Sequence, residues 1–127
     1  MKGDPGRPEN WYQLARRDLD KAGRDLAQGD LSYAAITFQQ AAEKACKGWL
    51  IAHGWRLVRT HDLVFLIGEI RQHGQEIGWF DKSAAMLSKE FFEERYVSWD
   101  AEPTPSAEEL RTVQAEVERL FAILGVH

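Results

Sequence analysis

Between Asp30 and Gly54 the chain sets Ala34, Ala35, Phe38, Ala41, Ala42, Ala45, Trp49 and Leu50 at three- and four-residue intervals. That period belongs to a helix, and the apolar set is too wide for a single contact stripe. Small side chains on a wide face let neighbouring helices approach from two sides, so the segment predicts a central helix packed in a bundle. Asp30 is the expected N-cap and Gly54 the expected stop.

The same period recurs on either side. Trp11, Leu14, Ala15, Leu19, Ala22 and Leu26 mark a first helix ended by Gly29. Leu63, Leu66, Ile67 and Ile70 mark a shorter third one, with Thr60 as expected cap and an end near Gly74. Gly74 to Trp79 reads as a turn or a single helical turn. Ala84, Leu87, Phe91 and Phe92 then line a fourth helix from Asp81 to about Val97. Pro103 and Pro105 disfavour helical geometry at the residues before them and stop it. In the last helix Ser106 with Glu109 forms a capping box, and Leu110, Val113, Val117, Leu120, Phe121 and Leu124 keep the stripe up to Gly125. No segment shows the strict alternation of a strand. The expected fold is all-α: an antiparallel up-and-down four-helix bundle with an additional short helix. It forms a single domain over residues 10–127 behind a flexible lead of residues 1–9, with Trp99 to Pro105 as its most mobile loop.

Composition narrows the function classes. At 44% hydrophobic and 28% charged residues the chain is globular rather than disordered. A net charge of -4 argues against coating nucleic acid by bulk electrostatics, which leaves only local basic patches for that work. Cys46 is the only cysteine, so the chain has no disulfide framework, and a reducing cytoplasm is the expected location. The opening residues lack the apolar core of a signal peptide, and no apolar run reaches a membrane span.

Chemistry-bearing residues concentrate around one turn. His61 and Asp62 stand at the start of the third helix behind Arg56 and Arg59. A helix N-terminus offers free N–H groups and partial positive charge, so with two arginines this makes a phosphate-binding corner. The plainer alternative is that Asp62 serves the helix and His61 bonds a neighbouring loop. Lys44 and Lys47 lie on the second helix, and Gln39, Gln40 and Glu43 beside its alanine face, as helix boundary or interface. Arg95, Tyr96 and Trp99 gather at the end of the fourth helix, where an arginine favours the helix C-terminus or faces a ligand. His53, His61, His73 and His127 match no metal-ligand spacing, so neither zinc nor another cofactor is expected. Glu93 and Glu94 point apart as neighbours on a helix, and no serine or cysteine nucleophile motif is present.

The run ARRDLDKAGRDLAQGDLSYAAITFQQAAEKACKGWLIAHG (Ala15 to Gly54), followed by THDL (Thr60 to Leu63) and RY (Arg95-Tyr96), resembles small prokaryotic HEPN-domain proteins. These are encoded beside minimal nucleotidyltransferases and are also grouped as nucleotidyltransferase substrate-binding subunits. The resemblance implies a helical bundle, usually dimeric, with a nucleotidyltransferase chain as partner and nucleotide or RNA as ligand. It places His61 and Arg95 among the motif residues, and with the corner read above the ligand-binding candidates are His61, Asp62, Arg59, Arg95, Tyr96 and Lys47. Many such proteins resemble metal-independent ribonucleases that use an Arg and a His four to six residues apart on a late helix. Here Arg56 and His61 have that spacing but precede the third helix, and no histidine follows Arg95 within reach. A non-catalytic binding module, half of a toxin-antitoxin-like pair, is therefore the first expectation. A ribonuclease toxin using His61 with Arg56 or Arg95 is the second, and a purely structural oligomerisation bundle the third.

Overall fold

The computed structural model describes residues 3–57, 59–95 and 104–127, with the backbone alone over 92–95. Five α-helices are present: α1 (Pro8–Ala27), α2 (Leu31–Ala52), α3 (Leu63–Gln72), α4 (Asp81–Arg95) and α5 (Ala107–Leu124), with one 3-10 turn at Gly78–Phe80 before α4. The described residues contain no strand. α1 opens at Pro8, within the stretch expected to be a lead, because proline at a first helical position sacrifices no hydrogen bond. Val97, the expected end of the fourth helix, and residues 99–103 of the expected mobile loop lie outside the described residues.

α2 is enclosed more completely than its sequence suggests. From Ala34 to Leu50 only Ile36, Gln40 and Lys44, at i, i+4 and i+8, keep appreciable exposure. α1, α3, α4 and α5 all pack against it. Lys44 pairs with Asp18 of α1, and Gly48 lies against Tyr12, so α1 and α2 run antiparallel. Arg16 of α1 donates to the Val126 carbonyl at 2.9 Å, while Gly23 faces Gln114, which sets α5 antiparallel to α1. Ser83 of α4 donates to Glu116, and Arg119 stacks 4.1 Å from the Trp79 ring, so α4 and α5 are antiparallel too. The four long helices thus alternate up and down, as expected.

α3 is the added element, and it runs the other way from a simple hairpin. His61, just before it, bonds Glu43 in the middle of α2, whereas the His73 ring just after it lies 5.7 Å from that of Trp49 near the end of α2. Residues 53–62 therefore double back along α2, and α3 runs parallel to the second half of α2. The reversal begins at Gly54 (φ 85°), where the Trp55 N–H returns to the Leu50 carbonyl at 2.9 Å and the Gly54 N–H to Ile51 at 3.1 Å. Only a residue at ease with positive φ closes a helix this way.

Two expected caps differ. Asp30 stands at the N-cap of α2 but its side chain bonds no N–H there. Its own N–H closes α1 onto the Asp25 carbonyl at 2.9 Å, and its ψ of 74° falls short of the extended geometry that a capping side chain needs. α3 is capped by Asp62, whose Oδ1 accepts from the Phe65 N–H at 3.1 Å; Thr60 instead accepts from the Asp62 N–H at 3.1 Å and steadies the cap. The capping box of Ser106 and Glu109 is present as read.

The α1–α2 seam generates two expectations. A Cβ on Gly48 would stand 2.6 Å from Tyr12 Cε1 and 3.0 Å from Trp11 Cβ, inside van der Waals contact. Gly48→Ala should therefore destabilise the fold by about 1–3 kcal/mol in urea titration, outweighing the ~1 kcal/mol that alanine gains in a helix. Burial first, and the charge of Glu9 second, raise the Tyr12 phenol above its ordinary 10.0. Burial first, and Glu43 second, likewise push the Cys46 thiol up from 9.0. Well below their ordinary values both groups keep their protons whether the chain is folded or unfolded. Above those values the unfolded chain releases protons that the folded chain holds, so stability falls as pH rises. Urea midpoints measured from about pH 8 to about pH 11 should decline, and less steeply in Tyr12→Phe.

Candidate functional site

A polar corner interrupts the apolar surroundings of α2. Gln39, Glu43 and Lys47 occupy i, i+4 and i+8 of that helix, and all three are buried. A buried carboxylate is costly unless it is paired. Glu43 has two partners: Nδ1 of His61 lies 2.8 Å from Oε1, and Nζ of Lys47 lies 3.7 Å from Oε2. Nδ1 is the donor of the first bond because a carboxylate only accepts, which leaves Nε2 as the outward ring atom of an imidazole whose side chain is 53% exposed. The Gln39 side-chain N–H donates to the His61 carbonyl at 3.0 Å, so residue 61 is held by its backbone and its ring together. The Gln39 Oε1 is buried with no hydrogen-bond partner among the described residues.

Aromatic rings complete the corner. The Lys47 ammonium lies 5.6 Å from the centre of the Trp11 ring, a cation over a π face. The Phe91 ring of α4 stands 5.3 Å from that of His61, tilted by 40°. α2 and α4 thus meet the imidazole carried by the segment before α3, while α1 reaches the corner through Trp11 over Lys47.

The expected site residues divide into those brought together and those kept apart. His61 and Lys47 share Glu43. Asp62 belongs to α3: its carboxylate takes a helix N–H and puts negative charge at the end where a phosphate was expected. Arg56 and Arg59 are exposed in the returning loop, with no hydrogen bond or ion pair to His61. Arg95 closes α4, one turn beyond Phe91 on the same face of the helix; its side chain and the whole of Tyr96 lie outside the described residues. His61 bonds α2 rather than the neighbouring loop of the plainer alternative. Lys44 leaves the corner to pair with Asp18. Glu43 was visible in the sequence only as a helix-boundary or interface residue, yet it is the hub. The signal that marks it is the i, i+4 pair Glu43–Lys47 on a helix with little exposed surface. Among the described residues no three His, Cys, Asp or Glu side chains gather where they could hold a metal ion. No described helix is long and apolar enough to cross a membrane.

Comparison with solved structures finds the same arrangement of helices elsewhere. The chain is similar to TT1696 from Thermus thermophilus, with a TM-score of 0.78 and 22% identity over 94% of this chain and 97% of that one. It is also similar to ST0689, described as an archaeal HEPN homologue, with a TM-score of 0.72 and 24% identity over 94% and 95% of the two chains. At these identities the likeness shows the fold. No curated protein matches the sequence. The family model of the HEPN domain matches residues 8–126, a span that takes in all five helices and the Glu43, Lys47 and His61 corner, and the chain belongs to the HEPN-domain family.

Proposed function

We propose that the protein is a non-catalytic HEPN module that binds a nucleotide, a partner minimal nucleotidyltransferase chain, or both, as one half of a two-protein, toxin-antitoxin-like system. The observation that carries this reading is that the Arg-x4-His spacing is not assembled into a couple. His61 is committed to Glu43 through Nδ1, while Arg56 and Arg59 stand exposed and unbonded to it. What remains is a fixed corner presenting one imidazole edge beside Phe91, with Arg56, Arg59 and Arg95 on the elements around it. Such a corner suits recognition of an anionic, aromatic ligand by charge-assisted bonds and stacking. The same reading includes a cytoplasmic protein acting as a homodimer or higher assembly, with no metal or other cofactor.

One observation favours a second reading, a metal-independent ribonuclease. A buried carboxylate bonded to Nδ1 fixes the tautomer of His61 and directs Nε2 outward, which is the arrangement a general base requires.

The corner also bears on how the variants behave. His61→Ala strips a charge-assisted bond from buried Glu43 and should cost about 1–2 kcal/mol of stability as well as any binding. The informative change is His61→Gln, whose amide can still donate to Glu43. In calorimetric titration with nucleotides and with a minimal nucleotidyltransferase, His61→Gln and Arg95→Ala should each weaken binding by about 1–3 kcal/mol, with urea midpoints close to wild type. Equal affinities in all three proteins would remove the corner from the binding site. Structured RNA incubated without metal should stay intact; cleavage that disappears in His61→Gln would establish the ribonuclease instead.

A further inference from the structure

His53 and His73 stand far apart in sequence, at no metal-ligand spacing, yet the fold brings their rings together. His53 ends α2 and His73 ends α3, and because these helices run side by side in the same direction their C-terminal ends are neighbours. Both rings gather on Trp49. His53 stacks on the indole with ring centres 3.7 Å apart, and His73 stands at 89° to it at 5.7 Å. The two imidazole centres are 6.3 Å apart, which closes a triangle with a nearly right angle at Trp49 and puts His73 beside the stack rather than over the free face of the indole. The hydrogen bonds fix both tautomers. Nδ1 of His53 lies 2.8 Å from the Trp49 carbonyl, and Nδ1 of His73 lies 2.9 Å from the Glu69 carbonyl. A carbonyl only accepts, so each Nδ1 carries the proton and each Nε2 the lone pair of a neutral imidazole. Neither Nε2 has a hydrogen bond or ion pair among the described residues, and both residues are exposed.

We infer that His53 and His73 together form a two-imidazole site for a divalent transition metal ion of the class that prefers nitrogen ligands, copper(II), nickel(II) or zinc(II). A metal-bound imidazole almost always donates its other ring N–H to a carbonyl or carboxylate, which orients the ring and raises its basicity; both rings here already have that partner. An ion bonded at ~2.0–2.1 Å by both Nε2 atoms holds the ring centres roughly 5–6 Å apart, so the observed 6.3 Å stands just outside the bound spacing. The setting favours a cation. Each helix ends in carbonyls that carry partial negative charge, and two such ends lie together here. Glu69, one turn before His73, has no ion pair among the described residues, whereas Arg71 is turned to Asp81 at 3.1 Å. With two protein ligands, the remaining coordination positions belong to water, and the ion exchanges freely with solvent. The site is separate from the polar corner, because His61 precedes α3 and bonds Glu43 while His73 follows α3. Glu43 holds the start of α3, and the ion pins its end to the end of α2. The ion is no cofactor of the corner, so either reading can fail without the other.

Equilibrium dialysis of the untagged full chain against zinc(II) and copper(II), with urea titration in parallel, tests this. Wild type should take up one ion per chain, and saturating zinc should raise its urea midpoint, because an ion held by two helix ends binds the folded chain alone. His53→Gln and His73→Gln should each raise the dissociation constant by about tenfold or more and lose the zinc-dependent shift. That shift is read against each variant's own metal-free midpoint, which allows for any loss of ring packing on Trp49. His127→Gln should bind as wild type does. Copper(II) on wild type should show two nitrogen ligands by electron paramagnetic resonance, and one in either variant. No uptake, a single nitrogen ligand in wild type, or two weak ions bound independently overturns the site. A midpoint shift that persists in both variants does the same and leaves the metal an adventitious ion only.

Discussion

A carboxylate sits inside the most buried helix of the protein, and much of the architecture is arranged to keep it there. Glu43 is buried on α2, the helix against which the four others pack. An ionised side chain in such a place requires partners with good geometry, and removing one partner from a buried pair generally costs more than the pair contributes. Lys47 supplies one from the next turn of the same helix, at 3.7 Å and without any help from tertiary structure. The closer one, His61 at 2.8 Å, comes from a segment that must first turn round at Gly54 and travel back along α2. The returning segment is therefore required by the charge it meets, as well as by the chain's need to reach α3.

This dependence separates what was legible in the sequence from what was not. Helix number and order follow from apolar spacing, because a stripe at helical period has one way to be buried. The capping box at Ser106 was equally readable, since both of its bonds are local. Asp30 takes the N-cap position without its capping bond, and Thr60 yields the cap to Asp62, for a related reason. Each is a good capping residue by type, but the choice between neighbouring candidates depends on backbone angles that the preceding turn imposes. Closing α1 holds Asp30 away from extended geometry, and in Thr60-His61-Asp62 only the aspartate reaches the Phe65 N–H.

The site was half legible for the same physical reason. His61 and Lys47 were recognisable as polar residues with chemical potential. Glu43 was not, because its importance comes from a contact across 18 positions of sequence, and the spacing along α2 gives only its pairing with Lys47. The Arg-x4-His spacing was conspicuous in one dimension and proved weak in three. Arg56 and Arg59 are exposed, and among the described residues nothing fixes either onto the imidazole. Gly48 and Gly68 make the complementary point. In sequence they are two equivalent mid-helix glycines, yet one is filled by Tyr12 and the other faces open space.

The four residues from His61 to Val64 and their neighbour Phe65 divide their work by direction. His61 reaches back to Glu43 and is held by Gln39 through its carbonyl; Asp62 caps α3; Leu63 is buried in the core; Val64 and Phe65 face outward. Because consecutive residues of one short helix start are fixed in these different directions, α3 cannot shift along α2 without pulling on a 2.8 Å bond to a buried charge. The polar corner and the exposed Val64 and Phe65 are thus parts of one rigid element rather than separate surfaces, and whatever engages the imidazole bears on the helix that presents them.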